Sequence, residues 1–344
     1  MEIIKRRAYA RAGLVGNPSD GYNGKTVAVN IRNFYAEVVL YEWDTLELLP
    51  SQGDQSEFNS IEGLYKDVQV HGYYGGLRLV KAAIKKFVEY CKEQGHTLHG
   101  QNFSIRYETN IPRQVGLGGS SAIIVATLRA LMAFYGVEIH KEIQPSLALS
   151  VETGELGIAA GLQDRVIQVY EGAVFMDFSP QVKGEKHGYE HYIYEPIDPA
   201  LLPNIYIAYS VDEGQDSGVL HGSLRRRFNR GEENVVSGMQ SFAALAQRAR
   251  DSLVDGQADL LGQIMNDNFS LRDRICKNEH GESELKAEHK QMVEVAQSVG
   301  ASAKYAGSGG AIIGTFKDED QFKQLQEALE TIKCQVLKPI ISES

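Results

Sequence analysis

The stretch of sequence that decides the fold is Pro112-Arg-Gln-Val-Gly-Leu-Gly-Gly-Ser-Ser-Ala122, which leads into a strongly apolar segment that stops at Gly136. A glycine-rich turn that opens onto a helix presents free backbone N–H groups and the positive end of the helix dipole to an anion. The loop lacks the lysine of GxxxxGK[ST] and carries Ser121 where GxGxxG has its last glycine, so neither of those phosphate loops fits. Two interpretations remain: a plain strand–turn–helix connection with a serine N-cap, or a phosphate site. The tandem Ser120 and Ser121 favour the phosphate site, because a hydroxyl there can also bind Mg²⁺.

Strand-like and helix-like segments alternate irregularly on both sides of this loop. Period-two and β-branched patterns predict strands, whereas apolar residues at helical spacing predict helices. The predicted strands are 26–33 and 35–40, which form a hairpin or meander, and 103–107, 172–178 and 204–210; the predicted helices are 76–91, 121–135, 145–155, 163–170 and 318–332, with long helical patterning over 235–277 and a strand–loop–strand over 301–316. This mixed order favours an α+β protein. The polar stretch 179–195 is the predicted junction between an N-terminal domain, 1–195, and a C-terminal domain, 196–344.

Length and composition limit the classes of protein that this chain can belong to. Its 344 residues suffice for one large domain or two ordinary ones, and its formal net charge is −10. An acidic balance argues against broad binding of nucleic acid or of an anionic membrane, since both require a basic surface. The sequence has three cysteines, no run of ~18 apolar residues and no apolar leader at its N-terminus. We therefore expect a cytoplasmic protein without nucleic-acid or membrane partners.

Two carboxylates, Glu152 and Asp164, flank a turn rich in glycine and alanine. Phosphoryl transfer needs one carboxylate to hold Mg²⁺ and another to orient or deprotonate the acceptor hydroxyl. Their spacing alone is weak evidence, because most isolated Glu and Asp residues are solvated surface carboxylates. Their place downstream of the loop makes them candidates for a metal ligand and an acceptor base.

Two further glycine-rich segments stand near the ends of the chain. The first, Arg11-Ala-Gly-Leu-Val-Gly-Asn-Pro-Ser-Asp20, predicts a turn whose Asn17, Ser19 and Asp20 side chains can hydrogen-bond sugar hydroxyls. The second, Tyr305-Ala-Gly-Ser-Gly-Gly-Ala311, lies between strand-like runs. It predicts either a β-turn or a close approach of backbone to a nucleotide or substrate.

Taken in this order, the four segments resemble the GHMP kinase superfamily (galactokinase, homoserine kinase, mevalonate kinase, phosphomevalonate kinase), and the resemblance covers essentially the whole chain. Pro112–Ala122 is similar to the family's PxxxGLGSSxA motif, with Gly119 in place of one serine. Arg11 stands where the family has Arg or Lys, whereas Asn17 and Pro18 stand where galactokinase-like members have Glu-His. The resemblance implies an α+β, two-domain GHMP kinase fold with a ribosomal-S5-domain-2-like N-terminal domain and a ferredoxin-like C-terminal domain.

The resemblance also implies roles for individual residues. Asp164 is implied as the catalytic carboxylate, Arg11 as a catalytic cation at the phosphoryl group, and Ser120 with Glu152 as the Mg²⁺ ligands. The residues implied to bind the phosphates of ATP are Pro112, Gly116, Leu117, Gly118, Gly119, Ser120, Ser121 and Ala122. The residues implied to border the substrate are Asn17, Ser19, Asp20, Gln163, Arg165, Gly307, Ser308 and Gly309. ATP and Mg²⁺ are the implied cofactors, and a sugar or uronic acid is the implied small-molecule substrate.

Within the superfamily, several segments look most like the glucuronokinases of plants and algae, namely RAYARAGLVGNPSD, GYYGGLRL, NIPRQVGLGGSSAI, ELGIAAGLQDRV and KYAGSGGA. That family phosphorylates D-glucuronate at its anomeric oxygen with ATP, giving glucuronate 1-phosphate for UDP-glucuronate synthesis. The alternatives are another small-molecule GHMP kinase, such as a heptose kinase, and a catalytically silent member that senses a sugar. The intact set of Ser120, Glu152 and Asp164 argues against silence.

A uronate substrate requires a dedicated cation in this acidic chain, because burying an unpaired carboxylate is strongly unfavourable. Arginine pairs bidentately with carboxylates and stays protonated at any working pH. With Arg11 assigned to the phosphoryl end, the candidates are Arg78, Arg113, Arg165 and the run Arg225–Arg227, one of which, with Ser217 and His221, can reach over the substrate cleft. The sequence does not rank them.

Overall fold

The computed structural model describes residues 2–51, 75–211, 218–277 and 283–341, with side chains from residue 224 onward in the third range. Ser217, the His221 side chain and residues 72–74 of the GYYGGLRL segment therefore lie outside the described residues. In those ranges the strands, β1 to β12 in chain order, are Ile3–Val15, Lys25–Glu42, Glu47–Leu49, Phe103–Thr109, Ala173–Asp177, Gly184–Lys186, Tyr189–His191, Ile193–Ile197, Ile205–Ser210, Lys304–Tyr305, Ala311–Thr315 and Cys334–Leu337. The α-helices, α1 to α9, are Gly76–Glu93, Gly119–Tyr135, Gln144–Ser150, Gln163–Tyr170, Gly218–Asn229, Glu233–Val254, Leu260–Ile275, Ala287–Ser298 and Glu319–Glu330.

The first sheet has the strand order β3-β4-β2-β5-β8, with β1 paired to β2. Strand β1 runs antiparallel to β2 along almost its whole length, from Ile3 opposite Tyr41 to Val15 opposite Val27. Helix α2 lies against both strands. It is apolar on nearly all sides and buried along most of its length, which is what such a helix requires in water. Its N-terminus, where the glycine-rich loop ends, is thereby fixed against the sheet.

Strand β2 is one continuous strand, so the predicted hairpin of 26–33 and 35–40 is wrong. Ala10 pairs with Ile31 and Tyr9 pairs with Tyr35, which leaves residues 32–34 outside the ladder. A bulge interrupts the period-two pattern of a strand as a turn does, and the two are hard to separate in sequence. The predicted helix 145–155 is also shorter than expected, because α3 ends at Ser150 and passes into a π-helical turn over Val151–Glu155.

The second sheet is antiparallel and has the order β10-β11-β9-β12. Strand β8 still belongs to the first sheet, where it pairs with β5, and β9 belongs to the second. The polar stretch 179–195 is therefore not a linker, since it contains the small hairpin of β6 and β7 and the start of β8. We propose that the domain boundary lies within 198–204, a few residues after the predicted division.

One buried hydrophobic cluster spans the two halves of the chain. Ala246 and Leu253 of α6, and Ile264 of α7, belong to the same buried cluster as Ala12 of β1 and Val27 of β2. Because packed interiors are rigid, this shared cluster holds the β1–β2 turn and the β10–β11 loop in fixed positions beside the start of α2. Among the described residues, no helix is both long enough and apolar enough to cross a membrane.

Candidate active site

The glycine-rich loop turns through left-handed backbone and then starts a helix without a side-chain cap. Gly116 and Gly118 have φ of +75° and +78°, a region that favours glycine. Helix α2 begins at Gly119, its N-cap is Gly118, and Ser121 Oγ donates to the Gly118 carbonyl at 3.1 Å. The serine N-cap interpretation is therefore wrong. The first N–H groups of α2 remain available for an anion.

Arg11 and Asp164 form a two-pronged ion pair beside this loop. Arg11 Nη2 donates to Asp164 Oδ2 at 2.6 Å, and Arg11 Nε lies 2.6 Å from Oδ1. Arg11 Nη1 also donates to the Gly116 carbonyl at 2.6 Å. Strand β1 supplies the arginine and the first turn of α4 supplies the aspartate, so one guanidinium joins the carboxylate to the loop.

Glu152 lies under the loop in a second, fully buried ion pair. Its side chain is 1% exposed and that of Arg165 is 4% exposed. Arg165 Nε donates to Glu152 Oε2 at 2.8 Å, Nη2 donates to the same oxygen, and Nη1 donates to the Gly161 carbonyl at 2.8 Å. The other oxygen, Oε1, accepts a hydrogen bond from Ser120 Oγ at 2.8 Å. The structure therefore brings Ser120 and Glu152 together, and it places Arg165 on Glu152.

The β10–β11 loop packs directly on the phosphate loop. A β-carbon at Gly307 would lie 2.2 Å from the Gly116 carbonyl oxygen and 2.7 Å from Arg11 Nη1, so only glycine fits there. Ser308 Oγ would lie 2.9 Å from a β-carbon at Gly116. The buried Arg272 of α7 donates to the carbonyls of Gly307 at 2.9 Å and Ser308 at 3.3 Å. Gly307 and Ser308, predicted as substrate contacts, thus lie against Gly116 of the glycine-rich loop.

Lys304, which sequence reasoning missed, ties this loop to the β1–β2 turn. Its side chain is fully buried, and Nζ donates to the Gly13 carbonyl at 2.6 Å, to Asn17 Oδ1 at 2.6 Å and to the Tyr305 carbonyl at 2.7 Å. Burial, together with the charge of the nearby arginines, lowers the pKa of this amine well below its usual range. Its sequence position directly before the glycine loop is the only signal that could have drawn attention to it.

The remaining residues of the β1–β2 turn face two directions. Ser19, predicted as a substrate contact, is fully buried, and its hydroxyl donates to the Lys25 carbonyl at 3.0 Å. Asp20 points toward α4: a β-carbon at Gly161 would lie 2.3 Å from Asp20 Oδ2. Gln163 is buried beside Gly13, and within the described part of the chain its Oε1 has no hydrogen-bond partner. Asp20 and Gln163 thus extend the site away from Asp164.

Burial and the nearby Asp164 charge raise the pKa of Asp20 to about 6. An ionised Asp20 therefore costs folding free energy above that pH, because the unfolded chain ionises it near its ordinary value of 3.8.

We expect Asp20→Asn to raise the free energy of unfolding at pH 8 by about 1–2 kcal/mol, since each pKa unit corresponds to ~1.4 kcal/mol and partial solvent contact reduces the effect. The gain should shrink as pH falls from 6 toward 4, because Asp20 is then protonated in the folded protein. Urea unfolding at pH 8 and pH 4.5 tests this. An identical gain at both pH values would show that the charge of Asp20 is not the cause.

The other predicted phosphate residues form the support of the loop. Leu117 and Ala122 are buried in the core, and the Leu117 carbonyl accepts the backbone N–H of Arg11 at 3.0 Å. Pro112 is half-buried at the start of the loop, and Gly309 lies against His289. Backbone groups, rather than these side chains, are what the loop offers to a ligand.

Comparison with known proteins agrees with this arrangement. The N-terminal domain model of the GHMP kinases matches residues 78–172, and their C-terminal model matches residues 249–334. The chain is 44% identical to Glucuronokinase 1 of Arabidopsis thaliana over 313 residues, which covers 90% of this chain and 84% of that protein.

Solved structures share the fold at low sequence identity. The Lin0012 protein from Listeria innocua superposes with a TM-score of 0.76 at 15% identity, over 99% of this chain and 98% of the other. Galactokinase of Lactococcus lactis, in complex with galactose, superposes with a TM-score of 0.75 at 15% identity, over 100% of this chain and 94% of the other. Both domain models match in order, and Glucuronokinase 1 is 44% identical over 90% of this chain. The chain therefore belongs to the GHMP kinase family.

Proposed function

We propose that this chain is a sugar 1-kinase that transfers the γ-phosphoryl group of ATP to the anomeric hydroxyl of D-glucuronate. The observation that carries the reaction class is the Arg11–Asp164 pair, which holds a carboxylate beside a loop of free backbone N–H groups. Phosphoryl transfer depends on positioning and electrostatic stabilisation, and this arrangement supplies both.

In the proposed reaction, the anomeric oxygen attacks the γ-phosphorus while the bond from that phosphorus to the bridging oxygen of ADP breaks. Asp164 orients the hydroxyl and accepts its proton. Arg11 holds Asp164 in one orientation through two contacts, and its third nitrogen points at the phosphate loop, where charge develops during transfer. The first N–H groups of α2 hold the phosphates of ATP.

Ser120 and Glu152 fit a Mg²⁺ ion by the chemistry of their donors. Their hard oxygens lie 2.8 Å apart at the start of α2, beside the proposed phosphate position. Among the described residues, no group of three or more His, Cys, Asp or Glu side chains forms a metal cluster. A site of one carboxylate and one hydroxyl suits Mg²⁺, which binds proteins through few carboxylates and relies on substrate phosphates. When bound, the ion would neutralise charge on the nucleotide phosphates.

Similarity supports the choice of acceptor. Glucuronokinase 1 is 44% identical over 90% of this chain, and Probable glucuronokinase 2 from the same plant is equally similar. The acceptor side also offers hydrogen-bonding groups suited to sugar hydroxyls, the Asp20 carboxylate and Gln163 Oε1, which accepts no hydrogen bond from any described residue. We propose that Arg165 acts through Glu152, to which it donates two hydrogen bonds, and not through the sugar.

We predict that kcat/KM for D-glucuronate exceeds that for D-glucose at least ~100-fold, since a lost charged hydrogen bond costs about 2–3 kcal/mol. A coupled assay of ADP release over a panel of sugars tests this. Comparable rates on glucuronate and glucose would refute the uronate assignment and leave the kinase assignment standing. Binding of glucuronate without ADP release would instead identify a sugar sensor.

A further inference from the structure

A uronate acceptor brings a negative charge to a site that already holds two carboxylates. Asp164 and Asp20 lie close enough for the charge of one to raise the pKa of the other. Four buried cations near the site are already engaged: Arg11 by Asp164, Arg165 by the glutamate beneath the phosphate loop, Lys304 by three uncharged oxygens, and Arg272 by two carbonyls of the β10–β11 loop. The substrate carboxylate therefore needs a cation that these contacts do not use.

Arg225 of α5 lies against the same turn that carries Asp20. Its guanidinium carbon stands 4.4 Å from the centre of the Tyr22 ring, and Tyr22 in turn packs edge-on against Phe228 at 4.8 Å. If Gly21 carried a β-carbon, that atom would lie 3.0 Å from Arg225 Nη2, so the guanidinium is in close contact with this glycine. A cation–π contact orients an arginine without consuming its charge. The guanidinium is therefore held beside the residue that follows Asp20.

The charge of Arg225 also stays available for a ligand. Its side chain is exposed, and among the described residues no carboxylate lies within ion-pair distance of it. Arg227, two residues on, donates to Glu232 at 2.8 Å and to the Ile275 carbonyl at 2.9 Å, on the side away from the turn. The neighbouring Arg226 is exposed like Arg225, and the structure records no contact of Arg226 with Tyr22.

We infer that Arg225 is a specificity-determining residue that pairs with the carboxylate of the acceptor, an inference that rests on the proposed glucuronokinase function. In a hexuronate in its pyranose form, the carboxylate is carried by C5, which the ring oxygen joins to the anomeric carbon, so it lies on the ring-oxygen edge near the reacting hydroxyl. With the anomeric hydroxyl at Asp164 and the other ring hydroxyls toward Gln163, the C5 carboxylate faces the Ser19–Tyr22 turn, whose Asp20 lies close to Asp164 and on which Arg225 stacks. The planar fork of Arg225 matches a carboxylate in two hydrogen bonds.

The test compares D-glucuronate with D-glucuronamide, which keeps the shape of the acceptor and removes its charge. The wild-type enzyme should favour glucuronate in kcat/KM by about 30- to 100-fold, the usual effect of a charged hydrogen-bonded pair. In Arg225→Gln this preference should fall to within about threefold, mainly through a higher KM for glucuronate, while kcat/KM for glucuronamide stays within about twofold. Arg225→Lys should lie between the two, because it keeps the charge and loses the fork.

Arg226→Gln is the matched control, since it removes an equally exposed charge from the neighbouring position and should keep the wild-type preference. An unchanged glucuronate preference in Arg225→Gln would overturn this inference and leave the proposed function intact. An equal loss on both acceptors would also overturn it, since it would assign Arg225 a structural role. A wild-type enzyme that turns over neither acceptor would overturn the proposed function and this inference together.

Discussion

Asp164→Asn is expected to lower kcat by about 10²–10⁴-fold, the usual contribution of a general base, while ATP binding is largely kept. The amide keeps the shape of the carboxylate, but it cannot accept the proton of the anomeric hydroxyl. It also removes the charge that Arg11 contacts through Nε and Nη2, so the arginine loses the partner that orients it. Steady-state ADP release gives kcat, and nucleotide titration by fluorescence or calorimetry gives the affinity for ATP.

Glu37→Gln is the control for this variant. Glu37 is also a carboxylate paired with an arginine, Arg7, with Nε and Oε2 2.6 Å apart, but the pair lies on a partly exposed face of the first sheet. The same change of carboxylate to amide there should leave kcat within about twofold, since surface pairs contribute little. Near-normal kcat in Asp164→Asn would move the base elsewhere or show that the reaction needs none.

The phosphate loop and its helix were predictable because local sequence dictates them. Glycines at positive φ, a serine pair and an apolar helix are properties of consecutive residues, and the structure has them where the sequence predicts. The course of β2 was not predictable in the same way. Whether residues 32–34 form a turn or a bulge depends on β1, since Tyr9 and Ala10 pair on either side of the interruption.

The choice among the arginines also depends on residues that are distant in sequence. Arg165 adjoins Asp164 in the chain, which made it a candidate for the substrate, but its side chain points to Glu152 across the π-helical turn. Arg272 and Lys304 reach the site only because one buried cluster spans the two halves of the chain. Such convergence has no local sequence signal, so sequence analysis named neither Arg272 nor Lys304 as a candidate site residue.

Arg165→Met is expected to lower the free energy of unfolding by about 3–5 kcal/mol, because it leaves the Glu152 carboxylate buried without a counter-charge. Glu152→Gln leaves one oxygen, which can accept from Ser120 or from Arg165 but not from both. It should still cost less, since Arg165 keeps the Asp164 carboxylate 3.7 Å from its Nη1 and the Gly161 carbonyl as an acceptor. The double variant should recover part of the loss in Arg165→Met. Urea unfolding of the three variants measures these free energies. Arg7→Met is the control: it breaks an exposed ion pair and should lower the free energy of unfolding by only about 0–1 kcal/mol.

The Glu152–Arg165 pair also links the stability of the fold to the proposed binding of Mg²⁺. If Glu152 Oε1 and Ser120 Oγ hold Mg²⁺ as proposed, Glu152→Gln removes the one carboxylate ligand and should shift the Mg²⁺ titration of ADP release to about 10-fold higher concentration, or ~1.4 kcal/mol of binding free energy. Arg165→Met acts differently, because the carboxylate stays in place without its counter-charge. That variant should be unstable but should keep a Mg²⁺ requirement close to that of the wild type. A Mg²⁺ titration of Glu152→Gln that overlays the wild-type curve would show that Glu152 serves only to pair with Arg165 and to position Ser120.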